Sequence, residues 1–117
     1  MNFAVDFDGT LVENAYTKIG KPKENIIAFC KKRQYMGDII ILWTCRTGKY
    51  LDEAIEFLKT ECLFIPDYVN ENAPWDHSLY PGESRKIGVD YYIDDKAVSV
   101  YDVEKLDKYL DFIANKG

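Results

Sequence analysis

Acidic and basic side chains of this sequence collect where apolar runs end. The run Phe3 to Val5 gives way to Asp6-Phe7-Asp8-Gly9-Thr10, and Ile39 to Trp43 gives way to Thr44-Cys45-Arg46-Thr47-Gly48. A third run, Val89 to Ile93, ends in Asp94-Asp95, with Lys86 a few residues before it. If the three runs are neighbouring strands, four carboxylates, a hydroxyl, an ammonium and a guanidinium share one crevice. Two carboxylates about 4 Å apart repel by about 4 kcal/mol at an effective dielectric of about 20, and a third adds to that. They must stay protonated or hold a cation. Mg²⁺ suits the second course, since it takes carboxylate oxygens, keeps several waters and binds substrate phosphate. A lysine and a hydroxyl beside it can hold phosphoryl oxygens, and a carboxylate left free can attack phosphorus.

The elements that must position these groups are legible from periodicity. Asn2 to Phe7 reads as a strand buried on both faces. Pro22 suits a first helical turn, and Ile26, Ile27, Phe29 and Cys30 form a stripe closed by Gly37. Ile39 to Thr44 is the strongest strand signal. After the loop Cys45 to Gly48 comes a helix with Tyr50, Leu51, Ala54, Ile55, Leu58 and Cys62 on one face. A weak strand, Asp67 to Asn70, precedes a long loop from Glu71 to Ser84 that holds Pro74, Pro81 and Gly82. Val89 to Ile93 is a strand, Ala97 to Val100 a short edge strand, and Leu106, Tyr109, Leu110 and Ile113 mark a last helix. Alternation of this kind predicts an α/β fold, a three-layer sandwich around a mostly parallel, Rossmann-like sheet. In such sheets ligands sit beyond the carboxyl ends of the strands.

Length and composition agree with a single domain over residues 1–117. Surface scaling gives about 6,500 Å² for a compact monomer of this mass, so folding needs neither disulfide nor structural metal. At 47% hydrophobic and 30% charged, the chain is too apolar for disorder. The first 60 residues hold nine basic against eight acidic side chains and the rest six against twelve, so no basic surface advertises a nucleic-acid scaffold. The longest apolar run is far short of the ~20 residues that span a bilayer, and the start has no basic region or cleavage site, which points to a cytoplasmic protein. Cys30, Cys45 and Cys62 are odd in number and lie in apolar segments, as reduced buried thiols do.

The same residues carry a resemblance. Phe3-Ala-Val-Asp6-Phe-Asp8-Gly-Thr10-Leu-Val12 resembles the first motif of the haloacid-dehalogenase-like phosphatase superfamily, and Ile39 to Thr44 is similar to its second. Lys86 fits its third, and Tyr92-Ile-Asp94-Asp95 is similar to the double-acid form of its fourth. Thr44-x-Arg46 and Tyr92 to Ala97 look most like small members without a cap. The resemblance implies Asp6 as nucleophile and Asp8 as general acid and then base, its backbone carbonyl also a metal ligand. Thr44 and Lys86 are implied to hold phosphoryl oxygens, with Gly9, Cys45 and Arg46 at the phosphate or an adjacent group. Asp95, with Asp94 beside it, is implied to bind Mg²⁺ together with Asp6. Lys96 stays open as the alternative ammonium donor.

No gap between these motifs has room for a cap, so the site is expected to be open. Open sites act on small phosphate esters or phosphorylated macromolecular ends, or have the mouth covered by a second subunit. In the 71–84 loop, Trp75 and Tyr80 are candidates for a substrate-facing wall, and His77 reads as a neutral loop histidine. Tyr16 and Lys18 are candidates for the opposite wall. Two rival readings share the acidic site: a phospho-accepting receiver domain and a catalytically idle phosphate-binding module. A receiver puts its acidic pair first and its acceptor on a middle strand, the reverse of the order here.

Overall fold

The computed structural model describes residues 1–74 and 85–116. Trp75, His77 and Tyr80 lie outside the described residues, as does most of the expected 71–84 loop. Four strands and three helices are β1 (Asn2–Val5), α1 (Glu24–Tyr35), β2 (Ile39–Leu42), α2 (Gly48–Glu61), β3 (Tyr68–Val69), β4 (Tyr91–Ile93) and α3 (Val103–Lys116). All strand pairs are parallel, in the order β3-β2-β1-β4. The chain is therefore α/β and Rossmann-like, consistent with a three-layer sandwich, and no cap stands among the described residues.

Handedness explains the two faces. Right-handed crossovers from β1 to β2 to β3 step in one direction and put both helices on the same side of the sheet. There Ile27, Cys30, Ala54 and Leu58 pack with Phe3, Val5, Ile40 and Leu42. Because side chains alternate along a strand, Ala4 and Ile41 face the other way, where Ile87, arriving from the β3–β4 connection, joins them with Trp43 and Val89 around it. The chain then returns to the far side of β1. The strand order reverses between β1 and β4, and in open parallel sheets that reversal opens a crevice beyond the strand ends.

Several boundaries differ from expectation for identifiable reasons. β1 stops at Val5 because the backbone N–H groups of Thr10, Leu11 and Val12 all converge on the Phe7 carbonyl, turning the chain off the sheet. Pro22 lies before the Lys23 N-cap of α1 and bridges to Val12. Residues 97–100 form no strand; they lead into a turn in which Asp102 N–H bonds Ser99 O. Cys30 and Cys62 are buried free thiols, but Cys45 is exposed, since its loop rides above the strand that precedes it. No helix among the described residues is long and apolar enough to cross a membrane.

Leu58, wholly buried between α2 and the sheet, tests this core. Leu58→Ala is expected to lower unfolding free energy by about 2–5 kcal/mol in urea titration; a change within about 0.5 kcal/mol would contradict the packing.

Candidate functional site

Because β1 lies between β2 and β4, whatever follows Val5 meets whatever follows Ile93. The Asp6 N–H donates to the Ile93 carbonyl at 3.0 Å, carrying the pairing one step past the strands. One carboxylate oxygen each from Asp6, Asp94 and Asp95 then lies within 4.8 Å of the others. The sequence expectation that the tips of the first and last strands share one site holds in this geometry.

Neighbouring groups hold the cluster in place. Thr10, only 5% exposed, sits between two of the acids, its hydroxyl 3.5 Å from Asp6 Oδ2 and 3.4 Å from Asp95 Oδ1. Its single proton serves one acid at a time, while the oxygen accepts the Asp95 N–H at 3.0 Å. Gly9 has φ +88°, and a Cβ there would come within 2.4 Å of Asp95 Oδ2. Only glycine allows both that conformation and that approach. The Lys23 ammonium donates to the Gly9 carbonyl at 2.8 Å, so α1 pins the same loop. An open cleft of about 250 Å³ runs beside the cluster, bounded by Thr10, Lys23, Asn25, Ile26, Asp94 and Asp95.

The electrostatics follow. Half-burial, and then the charges of Asp94 and Asp95, push the Asp6 carboxyl up to about 6, against the lowering effect of the Phe7 backbone N–H. Three hard oxygen donors this close together make a set that could hold a hard divalent cation. The donor set thus fits Mg²⁺ through Asp6, Asp94 and Asp95.

Asp8 goes elsewhere. Its carboxylate takes a bidentate pair from Arg46, Nε to Oδ2 at 2.8 Å and Nη2 to Oδ1 at 2.7 Å. Arg46 is 1% exposed, and its remaining donors reach the carbonyls of Lys18, Tyr50 and Thr17 at 2.8, 3.3 and 3.5 Å. Its guanidinium carbon lies 5.0 Å from the ring centres of both Phe7 and Tyr16. Arg46, expected at the substrate phosphate or an adjacent group, thus has all five N–H groups taken by protein and holds the Asp8 carboxylate. Tyr16 and Lys18, expected as a substrate wall, instead cover this guanidinium with a ring and a carbonyl.

The remaining expected residues are more dispersed. The Thr44 hydroxyl accepts the Arg46 N–H at 3.1 Å, making the turn that sends Arg46 inward. Asn70, at φ 54°, holds the Thr44 backbone at both ends, its Oδ1 accepting Thr44 N–H at 2.8 Å and its Nδ2 donating to Thr44 O at 3.1 Å. Cys45 is an exposed thiol in that turn. Lys86 places its Nζ 5.7 Å from the centre of the Tyr92 ring. The Lys96 backbone N–H bonds Asp94 Oδ1 at 2.8 Å, fixing that carboxylate. Thr10, Lys23 and Asn70 are site residues that periodicity did not single out. Thr10 had a signal, a hydroxyl two residues beyond the second acid of the first strand end; the other two act across long chain separations and had none.

Against this geometry the comparisons with known proteins are brief. No protein-family model matches the sequence, and no curated protein does. Among solved structures, a conserved protein coded by a locus from Bacteroides thetaiotaomicron superposes with a TM-score of 0.73 at 35% identity, over 92% of this chain and 91% of that one. The class is an α/β, Rossmann-like domain with an acidic cluster at its strand reversal. Within that class, the chain belongs to the family of that Bacteroides protein.

Two measurements check the site. Arg46→Lys leaves the Asp8 carboxylate and carbonyls underserved, so a loss of about 3–5 kcal/mol is expected; unchanged urea stability would refute the burial. Asp6 binds a proton in the folded chain between its ordinary 3.8 and about 6, where the unfolded chain does not. Its contribution therefore raises stability as pH falls through 6 and is lost as pH rises through that value. In chelator, the melting temperature of the wild type relative to Asp6→Asn is expected to climb between pH 7 and pH 5, and Mg²⁺ to flatten that slope. A difference that falls over the same interval would remove the assignment.

Proposed function

We propose that the protein is a Mg²⁺-dependent phosphomonoester hydrolase that works through a phospho-aspartate on Asp6. The observation that supports this most is the convergence of Asp6, Asp94 and Asp95 to within 4.8 Å at the strand reversal. The resemblance of Asp6-x-Asp8-x-Thr10 and Asp94-Asp95 to phosphatase motifs points the same way. Asp6, Asp94 and Asp95 would hold the cation, with the Asp8 carbonyl as a further donor, and when bound it would supply positive charge for phosphoryl oxygens.

The chain's own residues divide the work. An Asp6 oxygen attacks phosphorus as the ester P–O bond breaks, and the leaving oxygen takes a proton from Asp8. Water then attacks the aspartyl phosphate, Asp8 takes its proton, and inorganic phosphate leaves with Asp6 restored. To reach the leaving oxygen, Asp8 must give up Arg46 bonds, which makes Arg46 the residue that sets where Asp8 rests. Lys86 or Lys96 supplies the ammonium for phosphoryl oxygens, and the Thr44 turn with Gly9 and Cys45 borders them. The substrate is a small phosphate ester or a phosphorylated macromolecular end, since no cap stands over the mouth among the described residues.

A second reading has its own observation. The bidentate Asp8–Arg46 pair occupies the group proposed as acid, as befits a phosphate-binding module that turns nothing over. Phosphate release from a panel of phosphorylated small molecules and 3′- and 5′-phosphorylated oligonucleotides separates the two. Turnover that needs Mg²⁺, stops reversibly in EDTA and falls at least about 10³-fold in Asp6→Asn and in Asp8→Asn is expected. Tight fluoroberyllate binding with no turnover on any compound would instead establish the idle module.

A further inference from the structure

Among the described strands β3 is the shortest, two residues paired with Ile41 and Leu42. The ladder continues one step beyond it, where the Asn70 N–H donates to the Leu42 carbonyl at 2.8 Å. Asn70 then takes φ 54°, a left-handed conformation that asparagine adopts more readily than most residues, and its side chain reaches back to the tip of β2. Two residues on, the Asn72 Oδ1 accepts the Gly88 N–H at 2.6 Å. Ala73, wholly buried, anchors the loop behind it. One short loop therefore bonds the backbone of Thr44 and the backbone just past Lys86, the two segments that carry the groups expected to hold phosphoryl oxygens.

We infer that Asn70 and Asn72 are the positioning residues of the phosphoryl-holding half of the site, Asn70 acting through Thr44 and Asn72 through Lys86; the inference rests on the reading of the site proposed above. Thr44 shows how the clamp works. Asn70 takes both its N–H and its carbonyl, and its hydroxyl oxygen accepts the Arg46 N–H. Among the described residues, the donor left to Thr44 is the hydroxyl proton. That proton is what a phosphoryl oxygen would take, and the clamp fixes where it is offered. The Lys86 segment is held in the same manner. Asn72 takes the Gly88 N–H, the Ile87 carbonyl accepts the Tyr92 hydroxyl, and the Ile87 side chain is buried with Ala4 and Ile41. Neither asparagine is a catalytic residue, since each acts through the group it holds. Asn70 is exposed, and hydrogen bonds made by an exposed side chain contribute little to folding, so the effect of its clamp falls on the aim of Thr44.

Two measurements on the full chain with Mg²⁺ test this: calorimetric binding of fluoroberyllate, a phosphoryl mimic that needs no turnover, and phosphate release from 4-nitrophenyl phosphate. Asn70→Gly keeps the left-handed backbone accessible and removes the clamp. It is expected to weaken fluoroberyllate binding and to lower kcat/KM at least about 10-fold each, and Asn72→Ala at least about 5-fold each. Both variants should keep a folded circular dichroism spectrum and move the fluorine NMR resonances of the bound mimic. Glu71→Ala, exposed on the same loop, should leave binding and turnover unchanged. The sharper comparison removes the groups through which the asparagines act. In a Thr44→Val background Asn70→Gly should add less than about twofold, and in a Lys86→Ala background Asn72→Ala should add less than about twofold. Losses that multiply in full across these pairs overturn the positioning roles and leave the hydrolase reading intact. So do asparagine variants that match a wild type which binds and turns over. A wild type that neither binds fluoroberyllate nor releases phosphate overturns the hydrolase reading and this inference with it.

Discussion

Mutual repulsion among Asp6, Asp94 and Asp95 is the constraint around which the rest of this molecule is arranged. Parallel pairing of β1 with β4 forces their tips together, where Thr10 contributes one shared proton while Arg46 is committed to Asp8. The loop that follows β1 is correspondingly over-determined. Three backbone N–H groups gather on the Phe7 carbonyl, Lys23 grips the Gly9 carbonyl, and Gly9 lacks the Cβ that would push Asp95 aside. A carboxylate cluster this close, with its supporting backbone so fully bonded, is a set that could hold a metal ion.

The parts of this arrangement that local pattern controls were legible in the sequence. Buried strands such as Ile39 to Leu42 announce themselves by composition, and the acids that terminate them mark the end of the sheet where a ligand binds. The α2 stripe of Ala54 and Leu58 likewise appears at the depth its spacing implies. What pattern could not convey was direction beyond a strand end. Through its resemblance Thr44-x-Arg46 reads as a phosphate-facing turn, and only the tertiary fold reveals that the turn is hydrogen-bonded so as to drive the arginine inward. Asn70 and Lys23 act on chain segments far from their own in sequence, and no periodicity encodes such pairs. The α3 stripe shows a different limit: spacing tells which face of a helix is apolar but not which surface it meets.

The Arg46–Asp8 pair also bears on how the site can move. Five donors on one planar group join three segments, those around Asp8, around Thr17 and Lys18, and the first turn of α2 at Tyr50. A buried ion pair of this kind adds little net stability relative to apolar packing, but removing one partner is costly. The two ends of the pair are unequal. Asp8 is bound through its carboxylate to Arg46, while Arg46 keeps three backbone carbonyls and two aromatic faces if Asp8 turns away. The guanidinium can therefore stay in place while the carboxylate swings, so that such a motion needs a single side chain and no rearrangement of the loops around it.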